Sequence, residues 1–482
     1  MAPEGVSVID DGRQVGPATK LAYGIGALSD SIKIFCFTTF LLFYYTTVLG
    51  LPGTWLALAM SVGLVWDAAV DPLIGHLSDG ARLRFGRRHG FMLVGAVCAG
   101  ASLVAVFNPP SGLPTGLLFT WLMVSSLCLR SSNSLFMVPY YALGAELTTD
   151  YHERTSISGY RAGAVLAGTL LATGAAFLLF LPDQGATGPD SKFSRDSYES
   201  MGLAFGAAIT VVGLVATFGT LGQRGRLGSS PAARSSARAL PRTILATLRD
   251  PSFRVLICSS SLCVMASAIN AALSMHFLTY HARIAGSEAM TSYFGGFYVG
   301  AMAGVVTWVR VARWMDKHRL YATATFLSAL MISGGYWLIG EGRPFGTGRL
   351  SVLVAGTFLA GFFGTATAVV VPSMLADLTA LEELRSGRRR EGLLFGIYSF
   401  SQQIASGLAV LVAGVAVDRF AGLLPAQARQ SATTIDRLAM ISNLLPAALL
   451  VGAGILALRH RLTQQEVQSI QRELAAPVAC PR

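Results

Sequence analysis

The sequence predicts an all-α membrane protein: twelve transmembrane helices in two pseudo-symmetric six-helix bundles. Three observations carry that prediction. Only 13% of the 482 residues are charged while 52% are hydrophobic, about half the charged fraction of a soluble domain. The apolar residues fall in continuous runs of about 20 or more, the length that crosses a hydrocarbon core of roughly 30 Å. The runs do not alternate, as the strands of a membrane barrel do. Lys and Arg collect in alternate loops, which gives the chain a sidedness.

Twelve spans are expected, over 22–48, 53–77, 91–108, 114–146, 156–181, 199–222, 253–280, 288–312, 320–341, 350–377, 391–418 and 434–458. The loops after spans 2, 4, 6, 8 and 10 hold Arg82, Arg84, Arg87 and Arg88, then Arg154, then Arg224 to Arg249, then Arg313, Lys317 and Arg319, then Arg385 to Arg390. The opposite loops hold scattered charges such as Lys192, Arg283 and Arg343. The first set is therefore cytoplasmic, and an even number of spans puts both termini there. The formal charge of +11 belongs to this loop pattern, and nucleic acid is not an expected partner. The first 20 residues are polar, so no cleaved leader is expected.

The polar stretch over 223–252, rich in Ser, Arg, Ala and Pro, reads as a cytoplasmic linker. It divides the chain into a bundle over 1–222 and a bundle over 253–460. A tail over 461–482 carries Val467, Ile470 and Leu474 on one helical face, behind Thr463 as N-cap, and is expected to lie on the cytoplasmic surface. Two six-helix halves joined by a long loop is an architecture of secondary transporters.

The polar residues inside the spans mark function by default, because each is costly at membrane depth. Asp67 and Asp71 lie four apart, so on a helix they share one face. Each costs about 2.5–3.5 kcal/mol on insertion scales, so a bound cation, a proton or a basic partner must compensate them. Adjacent carboxylates also raise one another's proton affinity, which suits a proton carrier. Asp30 and Lys33 are three apart in span 1, and Lys33 can serve either carboxylate group, Asp30 or Asp67. Arg130 in span 4 can bind an anionic solute or pair with a carboxylate. Asn133, Tyr140, Tyr141, Asn270, His276, Tyr398, Gln402 and Gln403 are polar groups on spans 4, 7 and 11, each a solute contact or an interhelical hydrogen bond. Asp79, Arg87, Arg88 and Asp377 at the cytoplasmic ends read as gating locks.

Other chemistries are not supported. Five of the six cysteines, Cys36, Cys98, Cys128, Cys258 and Cys263, lie in apolar runs, where they act as small hydrophobes; Cys480 is in the tail. His276 and His281 are five apart, poor spacing for a metal on a helix, so no metal is expected. No strand–loop–helix glycine motif is present, which argues against ATP-driven transport, and no nucleophile–base set suggests an enzyme.

The stretches Thr19-Lys20-Leu21-Ala22-Tyr23-Gly24-Ile25-Gly26-Ala27, Trp66-Asp67-Ala68-Ala69-Val70-Asp71-Pro72, Glu153-Arg154 with Tyr160-Arg161, and Ala376-Asp377 with Glu382 to Gly392 occur in order along the chain. In these motifs it resembles the glycoside–pentoside–hexuronide:cation symporters of the major facilitator superfamily, the melibiose-carrier type. The resemblance covers nearly the whole chain and implies the MFS fold, with solute held between the halves. It also implies cation-coupled symport of a small solute, a sugar or glycoside.

Residue by residue, the resemblance assigns the coupling ion to Asp67, Asp71 and the Ser134 hydroxyl. An amide of the sodium-using members is replaced by Val70, which favours H+ over Na+ as the ion; no other cofactor is implied. For the solute, Arg161 and the ring of Tyr141 are retained. A family carboxylate in helix 1 becomes Ser31 beside Asp30, one in helix 4 becomes Met137, and the helix 11 lysine becomes Gln403. The solute-binding candidates are thus Asp30, Lys33, Arg130, Asn133, Tyr141, Arg161, Asn270, Gln402 and Gln403. The loss of charge at Met137 and Gln403 keeps a non-sugar amphiphile or lipid-like solute as the alternative, and a non-transporting sensor as a second. The expected setting is the inner cell membrane, as a monomer.

Overall fold

The computed structural model describes residues 15–80, 86, 88–148, 151–182, 191–226, 250–284, 286–312, 314–386, 391–424, 430–460, 465–466 and 469. Among them are twelve long helices and no strand. In chain order these are α1 (Pro17–Val48), α2 (Gly53–Gly80), α3 (His89–Phe107), α4 (Thr115–Glu146), α5 (Tyr151–Ala175) and α6 (Arg195–Thr220). The second set is α7 (Pro251–His281), α8 (Ser287–Val311), α9 (Lys317–Leu338), α10 (Leu350–Ser386), α11 (Glu391–Val415) and α12 (Ala432–Ala457). Among the described residues nine helices are long and apolar enough to cross a membrane, and Gly53–Gly63 of α2 is a further apolar stretch.

The helix starts follow local chemistry. Pro17 and Pro251 occupy first-turn positions, where proline lacks only an N–H that has no helical partner. The Asp250 carboxylate accepts the N–H groups of Ser252 and Phe253 at 2.8 and 3.1 Å, and Ser431 Oγ accepts that of Thr434 at 3.1 Å. Several helices outrun their predicted spans. α10 continues from 377 to Ser386 through Leu378-Thr379-Ala380-Leu381-Glu382-Glu383-Leu384-Arg385, a run without glycine or proline. α5 and α6 likewise begin in polar sequence, at Tyr151 and Arg195.

The chain divides into two units, one of Met1–Leu51 and Leu58–Arg234, the other of Pro52–Ala57 and Ser235–Arg482. In the first, α1 packs on α5 and α6, and α3 on α4 and α6; in the second, α7 packs on α11 and α12, and α9 on α10 and α12. Adding six to each helix number converts one set of pairings into the other. The repeat extends to detail. α1 and α7 end in wider i→i+5 turns at Tyr44–Val48 and Phe277–His281, and α5 and α11 are each followed by such a turn, at Ala176–Phe180 and Ala416–Ala421. α4 and α10 each carry an internal proline, Pro139 and Pro372.

Close packing depends on small residues, as in other membrane bundles. A Cβ on Gly300 of α8 would collide with the Phe358 carbonyl of α10. Most of the linker expected over 223–252 lies outside the described residues, although Leu221–Arg226 extends α6 by a tight turn. The amphipathic tail also lies almost wholly outside them.

Candidate functional site

Three clusters in the first unit gather most of the residues that the sequence singles out. The first lies on the seam of α2 and α4. Arg130 Nη1 donates to Asp67 Oδ2, with side-chain exposures of 15% and 20%. The Arg130 side chain presses against Gly63, one turn before Asp67: a Cβ at 63 would collide with Nε and sit 2.7 Å from Cδ. Next door, Trp66 Nε1 donates to Ser131 Oγ at 2.7 Å. Ser134, one turn beyond Arg130, is buried. Asp71 is half-buried, one turn past Asp67, and its charge acts on that carboxylate; among the described residues it forms no ion pair. Of the two partners the sequence allowed Lys33, it takes Asp30, and Arg130 is spent on Asp67.

The second cluster joins α1 to α4. Lys33 Nζ lies 2.7 Å from Asp30 Oδ1, and Asn133 Nδ2 donates to the same oxygen at 3.4 Å. The third is aromatic. Tyr23 and Tyr140 stack at 4.4 Å between ring centroids, and the Tyr140 hydroxyl donates to the Tyr23 carbonyl at 2.8 Å. Tyr141 stands beside this pair, 46% exposed, with the Arg161 guanidinium 5.2 Å above its ring. Among the described residues no carboxylate pairs with Arg161. Tyr23 was not a sequence candidate. Its signal was the Tyr23-Gly24-Ile25-Gly26 run: Gly26 and Gly144 allow the Tyr140 ring and the Tyr23 hydroxyl to approach, since a Cβ at either would lie within 2.8 Å of them.

In the second unit, Asn270 Nδ2 donates to the Ser442 carbonyl at 2.8 Å and Gln402 Nε2 to Ser260 Oγ at 3.1 Å. Both are interhelical hydrogen bonds of α7, to α12 and α11. Gln403 is exposed. Three or more His, Cys, Asp or Glu side chains do not converge on a metal-sized site among the described residues.

The gating candidates form a repeated pair. Arg88, at the start of α3, lies 2.6 Å from Glu146 at the end of α4 and donates to Ser78 Oγ at 3.1 Å. Lys317, at the start of α9, lies 2.5 Å from Asp377 of α10. Glu146 was missed in the sequence; the repeat that places Asp377 on the equivalent helix was the signal for it. Arg87 and the side chain of Asp79 lie outside the described residues. Two further motifs meet: Glu153 accepts from Val15 N–H at 2.5 Å and Thr148 Oγ1 at 2.7 Å, with Lys20 Nζ at 3.3 Å. Burial alone would raise the Glu153 carboxyl, but these donors and Lys20 together hold it below the ordinary glutamate range.

The model of the family described as MFS/sugar transport protein matches residues 22–464. A protein named an uncharacterized symporter, from Synechocystis, is 24% identical over 95% of this chain and 96% of its own length. A putative glycoside/cation symporter of Escherichia coli is 26% identical over 94% of both chains. A putative sulfoquinovose importer of Salmonella typhimurium is 26% identical over 95% of this chain and 92% of its own. Among solved structures, a point mutant of the nucleoside transporter NupG superposes with a TM-score of 0.66 at 11% identity, covering 92% of this chain and all of its own.

Proposed function

Because the chain belongs to the MFS/sugar transport family, and so is a multi-pass membrane transporter with the MFS fold, we propose that it carries a sugar or glycoside into the cell with one proton. The setting is the inner membrane, with both termini in the cytoplasm. The observation that supports this best is the gathering, in the first unit, of the α2 carboxylates and of the Tyr141–Arg161 face. An exposed ring backed by stacked tyrosines offers a flat apolar surface to a sugar's C–H face. The guanidinium above it offers several donors to hydroxyl or anionic groups.

The coupling follows from charge. An ionised carboxylate resists burial at membrane depth, and a proton on it removes that cost. A loaded carrier can therefore change conformation where the empty ionised one is held back. An interior-negative potential adds about 2.3 kcal/mol per inward charge per 100 mV. A proton needs no cage of oxygen ligands, whereas a hard metal cation does, and Val70 supplies none.

A second solute class is favoured by Arg161, which lacks a carboxylate partner among the described residues: a sulfonated or otherwise anionic sugar. Both classes are separated by uptake into proteoliposomes. The purified protein is screened against neutral sugars, glycosides and a sulfonated sugar, with an inward proton gradient or an inward Na+ gradient. The reading expects accumulation of at least one of these solutes driven by the proton gradient alone. Accumulation driven only by Na+ would overturn the ion, and no accumulation of any sugar would overturn the solute class.

A further inference from the structure

We infer that Arg130 is a tethered cation that fills Asp67's share of the coupling site, so that the site takes a single mobile charge, at Asp71, and excludes Na+ from Asp67. The inference rests on the reading of Asp67 and Asp71 as the coupling pair. It adds a specificity-determining residue, which nothing in the family resemblance supplies.

The seam is built to hold this guanidinium. Gly63 leaves a slot that any side chain would fill, and the Arg130 Nε and Cδ atoms occupy it, Cδ 2.7 Å from where a Cβ would stand and Nε closer still. From that slot Nη1 reaches Asp67 Oδ2. The adjacent Trp66–Ser131 bond fixes the register of the two helices at the same level. Arg130 Nε, pressed on the glycine, is buried without an acceptor, so the guanidinium is anchored through one nitrogen and directed at one carboxylate.

The charge arithmetic then differs from that of a bare carboxylate pair. The groups that face Asp67 are Arg130 of α4, Lys33 of α1 and Asp71 of its own helix. Lys33 is balanced by Asp30 at 2.7 Å. Two negative charges and one fixed positive charge leave one negative charge, and one monovalent ion completes the balance. A guanidinium does not lose its proton at any physiological pH. It is also present at the high effective concentration that a short tether gives. A free Na+ competing for Asp67 must displace it and would strand a partly buried guanidinium without its partner. Asp71 has no such competitor among the described residues.

The test needs no solute and uses the purified full-length protein in detergent, with radiolabelled Na+ as the probe and choline chloride as the control. Wild type is expected to bind no Na+ through Asp67. Arg130→Gln keeps length and donors but removes the charge. It is expected to bind Na+ at least about tenfold more tightly than wild type, a difference of about 1.4 kcal/mol. Asp67→Asn in that background should abolish the gain. Gly63→Ala keeps the arginine but fills its slot, and should give a partial gain, so it decides the matter if Arg130→Gln does not fold. Na+ binding by wild type that disappears in Asp67→Asn overturns the inference, as does a folded Arg130→Gln or Gly63→Ala protein with no gain. Either result leaves proton-driven sugar uptake standing, and failure of uptake leaves these binding measurements intact.

Discussion

Arg88 Nη2 and Glu146 Oε1 lie 2.6 Å apart, tying the start of α3 to the end of α4. The same tie recurs between Lys317 and Asp377 on α9 and α10. Each pair has one member under a tenth exposed: Arg88 at 8% against Glu146 at 17%, and Asp377 at 9% against Lys317 at 31%. Removing one member of an enclosed pair strands the other charge, at a cost of about 3–5 kcal/mol. Glu146→Gln, which strands Arg88, and Lys317→Met, which strands Asp377, should therefore each lower the unfolding midpoint by a comparable amount. The double variant Arg88→Met/Glu146→Leu should recover part of the loss. Thermal unfolding in detergent measures all three.

Glu153 gives a dependence on pH. Its carboxyl is held below the ordinary value of about 4.3 by Thr148, Val15 and Lys20, against the upward push of burial. A lowered folded-state value contributes stability that is complete above the unfolded value and lost as pH falls through the folded one. The stability gap between wild type and Glu153→Gln should be constant near neutrality. It should close progressively below about pH 4.3, as followed by melting temperature in a buffer series.

Gly300 and Gly295 make an internal control on one helix. A Cβ at 300 would collide with the Phe358 carbonyl, while at 295 it would meet nothing within 4 Å. Gly300→Ala should separate α8 from α10 and cost about 1–3 kcal/mol. Gly295→Ala should be neutral or slightly stabilising, since alanine is the better helix former. The two melting curves settle the comparison.

Arg161 and Tyr141 carry the solute prediction. Arg161→Lys keeps the charge but loses the planar fork that lies over the ring, and Arg161→Ala loses both. Affinity for the transported solute should fall in that order, by about tenfold or more for the alanine variant, in a binding titration. A neutral solute should tolerate the lysine variant less well than an anionic one.

Much of this was legible along the chain, for reasons that lie within single helices. The run over 22–48 matches the apolar part of α1, and Asp67 and Asp71 stood out because their cost is local to one span. What the sequence could not assign was pairing across helices. Whether Lys33 or Arg130 served Asp67 depended on the Gly63 slot, which exists only once α2 and α4 are in register. Glu146 is not singled out by the sequence, because its partner Arg88 lies on another helix. Asn270 and Gln402 read equally as solute contacts or helix bonds, and only the positions of Ser442 and Ser260 show which bonds they make.

The central claim, that one mobile proton at the α2 carboxylates drives uptake, is tested most directly with Asp71→Asn in proteoliposomes. The solute is the sugar identified by the uptake panel, with an inward proton gradient imposed. The account predicts that Asp71→Asn loses concentrative uptake while still exchanging labelled for unlabelled solute across the membrane. Accumulation by Asp71→Asn to the wild-type level would contradict it.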